Sequence, residues 1–294
     1  MQQTPGHGPA IDSLYYYPIK GLSPQRLGTM VLVPGRGVEH DRKYALARAD
    51  GRYVPGARQN LGKREFHVLM REPALAGVRS EYFPATDTVE LRPLDATAAP
   101  AGRDNPAAPD APATPGSGIS GHDGGPALRA DLATTEGRAA LAGYIADLLG
   151  LQAGRRPVFA EEPGRRFPDL LRSGDPATME AVSIINLASV RELGRAAGTD
   201  VDPLRFRANI YLDGLAPFAE RDLLGTVLQA GTTRLEVFQE IARCAATEVG
   251  LDTGRRDLPV LATLHEAFGH TNLGVYAHVR AGGTLEPGTA VALG

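Results

Sequence analysis

LQAGTTRLEVFQEIARC, residues 228–244, alternates apolar and polar side chains on either side of Ala230-Gly231-Thr232. Alternation broken by a glycine-containing turn is the signature of a β-hairpin, and it points to an antiparallel, strand-built fold. The stretch ends on Arg243-Cys244, and Cys244 is the only cysteine in 294 residues. One thiol can neither close an intramolecular disulfide nor supply a four-ligand zinc site alone. It is either a small packed side chain or a thiolate that serves a ligand.

Outward from the hairpin, short β-branched and aromatic runs recur, divided by glycine and proline. Ser13 to Ile19, Thr29 to Val33, Tyr44 to Arg48, Phe66 to Met70 and Thr88 to Leu94 predict strands in the first hundred residues. Asn209 to Leu212, Val227 to Gln229, Arg234 to Phe238, Val275 to Arg280 and Ala290 to Leu293 predict strands in the last ninety. Asp95 to Pro126 is Ala, Pro and Gly with little to bury, which predicts a flexible insert or linker. Helices are expected twice. Leu141, Ile145, Leu148 and Leu149 share a face that stops at Gly150, and Val190, Leu193 and Ala197 share one that stops at Gly198. Ser189 and Glu192 have the spacing of a capping box for the second. The expected class is α+β, strand-dominated, in two parts.

Composition narrows the function classes. Asp and Glu outnumber Lys and Arg by 34 to 31, so no overall positive field recruits nucleic acid. The N-terminus lacks a basic start followed by an apolar run, and no run of about 18 apolar residues occurs, so neither a signal peptide nor a membrane span is expected. Cytoplasmic localisation follows as the expectation, in line with a single unpaired cysteine.

Four groups of residues could carry chemistry. Arg243 beside Cys244 favours the thiolate, the form that binds metals or attacks, yet free cysteine is also among the most buried residue types. In PLRFRANIYLDG, Arg205 and Arg207 alternate with Leu204 and Phe206; on a strand both guanidiniums would project to one face and suit an oxyanion, or pair with Asp213, Glu220 or Asp222. YYYPIKGL sets Lys20 beside Gly21, where a backbone can approach a ligand closely, and EHDRKYAL sets Arg42 at a strand entrance. His265 and His270 are five apart, not the four that would align two zinc ligands on a helix, and GRG at 35–37 opens no helix.

Taken in order, YYPIKGLSPQRL, HDRKYAL, RFRANIYLDGLAPFAERDLLG, RCAATEV, DTG and FGHTNLGVYAHV resemble the MOSC family, named for the C-terminal domain of molybdenum cofactor sulfurase. The similarity extends to two-domain members such as the mitochondrial amidoxime-reducing component and its bacterial relatives. It implies an N-terminal β-barrel domain over residues 10–94, the linker at 95–126, a helical connection at 127–154, and a MOSC β-barrel domain with a few helices over 155–294. It implies the molybdenum cofactor (molybdopterin) as ligand, with Cys244 on the metal as the catalytic position. Lys20, Arg42, Arg205 and Arg207 would lie near the pterin phosphate, Asn209, Arg243 and Tyr276 would line the pocket, and Thr178 would be a further donor. The implied activity is reduction of N-hydroxylated or N-oxide-type small molecules, with electrons from a separate donor protein and no role for nucleic acid or membrane. A sulfur-carrier or cofactor-handling module with a persulfide on Cys244 is the alternative. Four departures stand out: Gly21 replaces a serine common after PIK, Ala242 replaces serine before RC, Ala208-Asn209 stands where the family has PN, and PDLLRSGDPATMEAVSIIN differs from the family's cofactor-binding loop after Phe-Pro-Asp, although FPD itself stands at 167–169.

Overall fold

The computed structural model describes residues 8–94, 128–169 and 180–294. The Asp95–Pro126 expectation and Thr178 lie outside the described residues.

The first segment gives β1 (Ala10–Tyr16), β2 (Gln25–Leu27), β3 (Met30–Val33), β4 (Gly37–Val38), β5 (Tyr44–Ala47), β6 (Val78–Phe83) and β7 (Thr88–Pro93). The second gives β8 (Leu128–Asp131), α1 (Thr135–Leu148) and β9 (Val158–Glu161). The third gives β10 (Val182–Asn186), α2 (Leu187–Ala197), β11 (Ile210–Asp213), β12 (Val227–Ala230) and β13 (Thr233–Ala242). It closes with α3 (Val260–Phe268), β14 (Asn272–Ala281), β15 (Gly283–Leu285) and β16 (Val291–Leu293). The class is α+β and strand-dominated.

The main sheet runs β16-β12-β13-β14-β10-β11-β1-β2, with smaller sheets β15-β3-β4, β5-β9 and β6-β7-β8. Every pair in the main sheet is antiparallel except β10–β11. The hairpin at Ala230–Thr233 forms as the alternation requires, with Gly231 at φ +59° supplying the turn. The first and last parts of the chain interlock: β1 pairs with β11, and β3 with β15. One apolar core accordingly runs from Leu14 and Leu46 through Leu91 and Ile145 to Ile184 and Val275, all buried. Each such side chain contributes about 1.5–3 kcal/mol.

Several local expectations are corrected. Phe66–Met70 forms one isolated bridge, Ala47↔Phe66, and then turns, because Val68 and Leu69 pack inward without a continuing ladder partner. The start of α2 is capped not by Ser189 but by Asn186, whose side chain accepts from the Ala188 N–H at 3.0 Å. Ser189 is already inside the helix and bonds the buried carboxylate of Glu220 at 2.7 Å, while Glu192 pairs with Arg195. Arg205 and Arg207 are not on a strand: Pro203–Phe206 is a 3-10 turn, and Arg207 ends it at φ +54°. Pro203 and the Asp202 cap, which accepts from the Leu204 N–H, favour that turn over an extended run.

Candidate functional site

β13 and β14 are paired along ten-residue lengths, and Cys244 follows two residues beyond the end of β13. There the backbone enters a 3-10 turn, Ala245–Glu248, whose Thr247 donates through both N–H (3.0 Å) and Oγ1 (2.9 Å) to the Cys244 carbonyl. Arg256 reaches back across this turn, donating to Ala245 O at 2.5 Å and to Met70 O at 2.6 Å. Cys244 is half-buried, and among the described residues its Sγ makes no hydrogen bond. It lines a cleft that is open to solvent.

The opposite wall comes from the first segment. The loop after β1 is zipped to the loop before β5: Arg42 N donates to Tyr17 O (2.7 Å), Tyr44 N to Pro18 O (3.0 Å), and Lys20 N to Tyr44 O (2.8 Å). Phe167 N then donates to Arg42 O at 2.8 Å, drawing Phe167-Pro168-Asp169 onto the same spot. Lys20 is 2% exposed. Its Nζ donates to Phe167 O (3.1 Å), Pro168 O (2.8 Å) and Asp169 Oδ1 (2.5 Å). Arg42 donates to Asp41 (2.6 Å) and to Arg207 O (3.0 Å), with Nε 3.5 Å from Asp169.

Arg42 and Arg207 both lie against the ring of fully buried Tyr17, at 4.7 and 4.4 Å from its centre. Arg207 donates to Leu22 O at 2.7 Å and has no carboxylate within ion-pair distance among the described residues. Burial pulls its pKa and that of Lys20 below their ordinary values. Burial pushes the Asp169 carboxyl upward, but Lys20, Arg42 and Arg207 outweigh it and hold the group well below the carboxylate range. The buried donors Arg42 Nε and Arg207 Nη2 have no hydrogen-bond partner among the described residues. Such orphans cost free energy unless a ligand satisfies them.

Arg42, Arg205, Arg207, Asn209, Arg243, Cys244 and Tyr276 all line this cleft, and Lys20 touches it through Asp169. They are not equally available. Arg205 is held two-pronged by Asp257 at 2.7 and 2.9 Å, none of the three acids named from sequence. Arg243 spends its guanidinium on backbone, Nε to Leu273 O at 2.7 Å and Nη1 to Phe206 O at 3.0 Å. Asn209 is bonded through Oδ1 to Ser183 N–H and Oγ, so it ties β11 to β10. Tyr276 is pushed up to about 12 by burial and is a neutral O–H donor near pH 7.

Sequence reasoning missed four contributors. Lys63 lines the cleft with no ion pair among the described residues; Arg166 pairs with Asp41 and Glu180; Asp41 and Asp169 supply the acids. Only HDR and FPD hinted at the last two. Among the described residues no three His, Cys, Asp or Glu side chains converge as a metal cluster.

The Gly21 departure has a physical reason. At φ +89° a side chain is strained, and an added Cβ would stand 2.7 Å from the His67 carbonyl oxygen. Gly21→Ser is therefore expected to destabilise the chain by about 1–3 kcal/mol, measurable by urea unfolding, rather than to add a useful hydroxyl.

Residues 8–111 match the MOSC N-terminal beta barrel domain, and residues 168–292 match the MOSC domain. No curated protein matches the chain in sequence. Among solved structures, the YUAD protein from Bacillus subtilis is similar over 97% of this chain and 94% of its own, at 12% identity and a TM-score of 0.43. YiiM from Geobacillus stearothermophilus (22% identity, TM-score 0.31) and YiiM from Escherichia coli (22%, 0.27) each match 38% of this chain. The chain spans about half the length of those two structures, 53% in each case. These likenesses are distant and carry no argument about activity. The two domain matches, in order and on the two walls of one cleft, make this chain a member of the MOSC-domain proteins with an N-terminal MOSC beta barrel domain.

Proposed function

We propose that the chain binds the molybdenum cofactor in this cleft and reduces N-hydroxylated or N-oxide-type small molecules, with Cys244 as the one protein ligand to the metal. The observation that carries the reading is the pairing of an uncommitted, half-buried thiol with a cationic cluster that holds orphaned donors. A phosphorylated group has the acceptors that Arg42 Nε and Arg207 Nη2 lack, and a soft thiolate suits a metal whose other ligands come with its cofactor. The residues fit the group.

When bound, the cofactor would supply the electron-transfer chemistry. The chain's own share is different. Lys20, Arg42 and Arg207 would hold the phosphate; Arg243 and Asn209, committed to backbone and to Ser183, would fix the wall; Arg205 would brace Asp257. Tyr276 would offer a neutral hydroxyl to the ligand. The single cysteine leaves no thiolates for an iron–sulfur cluster within these residues, so reducing equivalents are assigned to a donor outside them.

A second reading keeps Cys244 as a persulfide carrier, favoured by the same accessible lone thiol. Metal and pterin analysis of protein from a cofactor-competent host separates the two. Near-stoichiometric molybdenum and pterin supports the first; a one-sulfur mass increase on Cys244 without pterin supports the second and removes the first.

A further inference from the structure

Two acids face Arg42, and they are held very differently. Asp41 is 1% exposed and accepts from Tyr17 N–H (2.8 Å), Arg42 (2.6 Å) and Arg166 (3.2 Å), so its carboxylate is part of the fold. Asp169 has a side chain that is 33% exposed, one hydrogen bond from Lys20 and a longer pairing with Arg42. It sits among three cations, yet Arg42 Nε and Arg207 Nη2 have no hydrogen-bond partner among the described residues. A planar monoanion leaves Arg207 without a paired counter-charge and both donors without an acceptor. A tetrahedral dianion with three oxygens has the charge and the acceptors to supply both.

We infer that Asp169 is a resident counter-ion seated where a ligand's phosphate monoester binds, and that binding exchanges the Asp169 carboxylate for the phosphate. The exchange is local. Lys20 keeps two of its three acceptors, Phe167 O and Pro168 O, so its ammonium stays aimed while one donor passes from Asp169 to the ligand. The fixed Asp41 continues to balance Arg42 and Arg166. Without a ligand, Asp169 would offset part of the positive charge of the cleft, and monoanions such as acetate or a phosphodiester, which bring no more charge than Asp169, would compete poorly. A doubly charged monoester wins the seat, so Asp169 sets selectivity for dianions. The inference rests on the proposed function only for the ligand's identity, not for the seat.

The test uses the full chain purified free of pterin, with inorganic phosphate as probe in isothermal titration calorimetry. Asp169→Asn and Asp169→Ala are both expected to tighten phosphate binding by about tenfold or more, because a unit of competing negative charge a few ångströms away is removed. Their preference for phosphate over acetate is expected to shrink. In the wild-type chain, carbodiimide labelling read by mass spectrometry should rise at Asp169, and not at Asp41, when phosphate is added. Unchanged or weaker phosphate affinity in both variants overturns the inference, as does failure of both variants to fold, which would make Asp169 structural. The two conclusions fail separately. Tighter binding in the variants with no molybdenum or pterin in the native protein sinks the proposed function alone, whereas a loaded native protein with unaltered variants sinks the counter-ion alone.

Discussion

Cys244→Ala is expected to lower reduction of an N-oxide or N-hydroxylated probe by at least about 100-fold and to strip molybdenum from the purified protein. Loss of a mere supporting partner to a metal ligand costs about 10–100-fold, and loss of the ligand itself should cost no less. The expected signature is selective. The thiol stands after β13, whereas the phosphate seat is built by Lys20, Arg42 and Arg207 from the opposite wall, so phosphate affinity by calorimetry should stay within about twofold. Folding should be little affected, since the thiol of half-buried Cys244 makes no hydrogen bond among the described residues. Full metal content and full activity in the alanine variant would show that Cys244 is packing, the bland role its composition first suggested.

Arg207→Met should separate affinity from stability. Arg207 is a half-buried cation with no carboxylate in ion-pair range among the described residues, a buried and orphaned Nη2, and a second guanidinium against the same Tyr17 ring. Replacing an unpaired, half-buried charge with an apolar side chain of similar length is expected to leave the melting temperature unchanged or higher. Phosphate affinity is expected to fall about 10- to 100-fold, since a charge-assisted hydrogen bond is worth about 1.5–3 kcal/mol. Thermal unfolding and calorimetry on the same sample check both halves. A drop in melting temperature with unaltered phosphate affinity would assign Arg207 to the architecture instead.

These two variants probe opposite walls, and their contrast reflects how the site is assembled. The cleft forms where β13 ends and where the loop after β1 meets the segment before β10. Neither wall is a site by itself. The turn holding Cys244 is fastened to Met70 of the first segment by Arg256, and Lys20 is fastened to Asp169 of the second segment.

What the sequence by itself determined is local. The 228–239 alternation, the glycine turn at Gly231 and the terminator Gly198 each act within a few residues, and each forms as its chemistry dictates. Residue types were legible too: one thiol, and cations gathered in PIKG, DRK and RFR, most of which meet in the cleft. Local rules failed where a distant partner outbid them. Ser189 was drawn from a capping role to Glu220, 31 residues on, and Phe66–Met70 had strand composition without a ladder to join. Tertiary structure alone decided which arginines are free: Asp257 holds Arg205 from 52 residues away, and backbone carbonyls hold Arg243. It also decided that Asp169, 149 residues from Lys20, would be that lysine's anion. Hydrogen bonds and ion pairs depend on the separation of atoms in space, and no spacing along the chain encodes that separation until the sheet has closed.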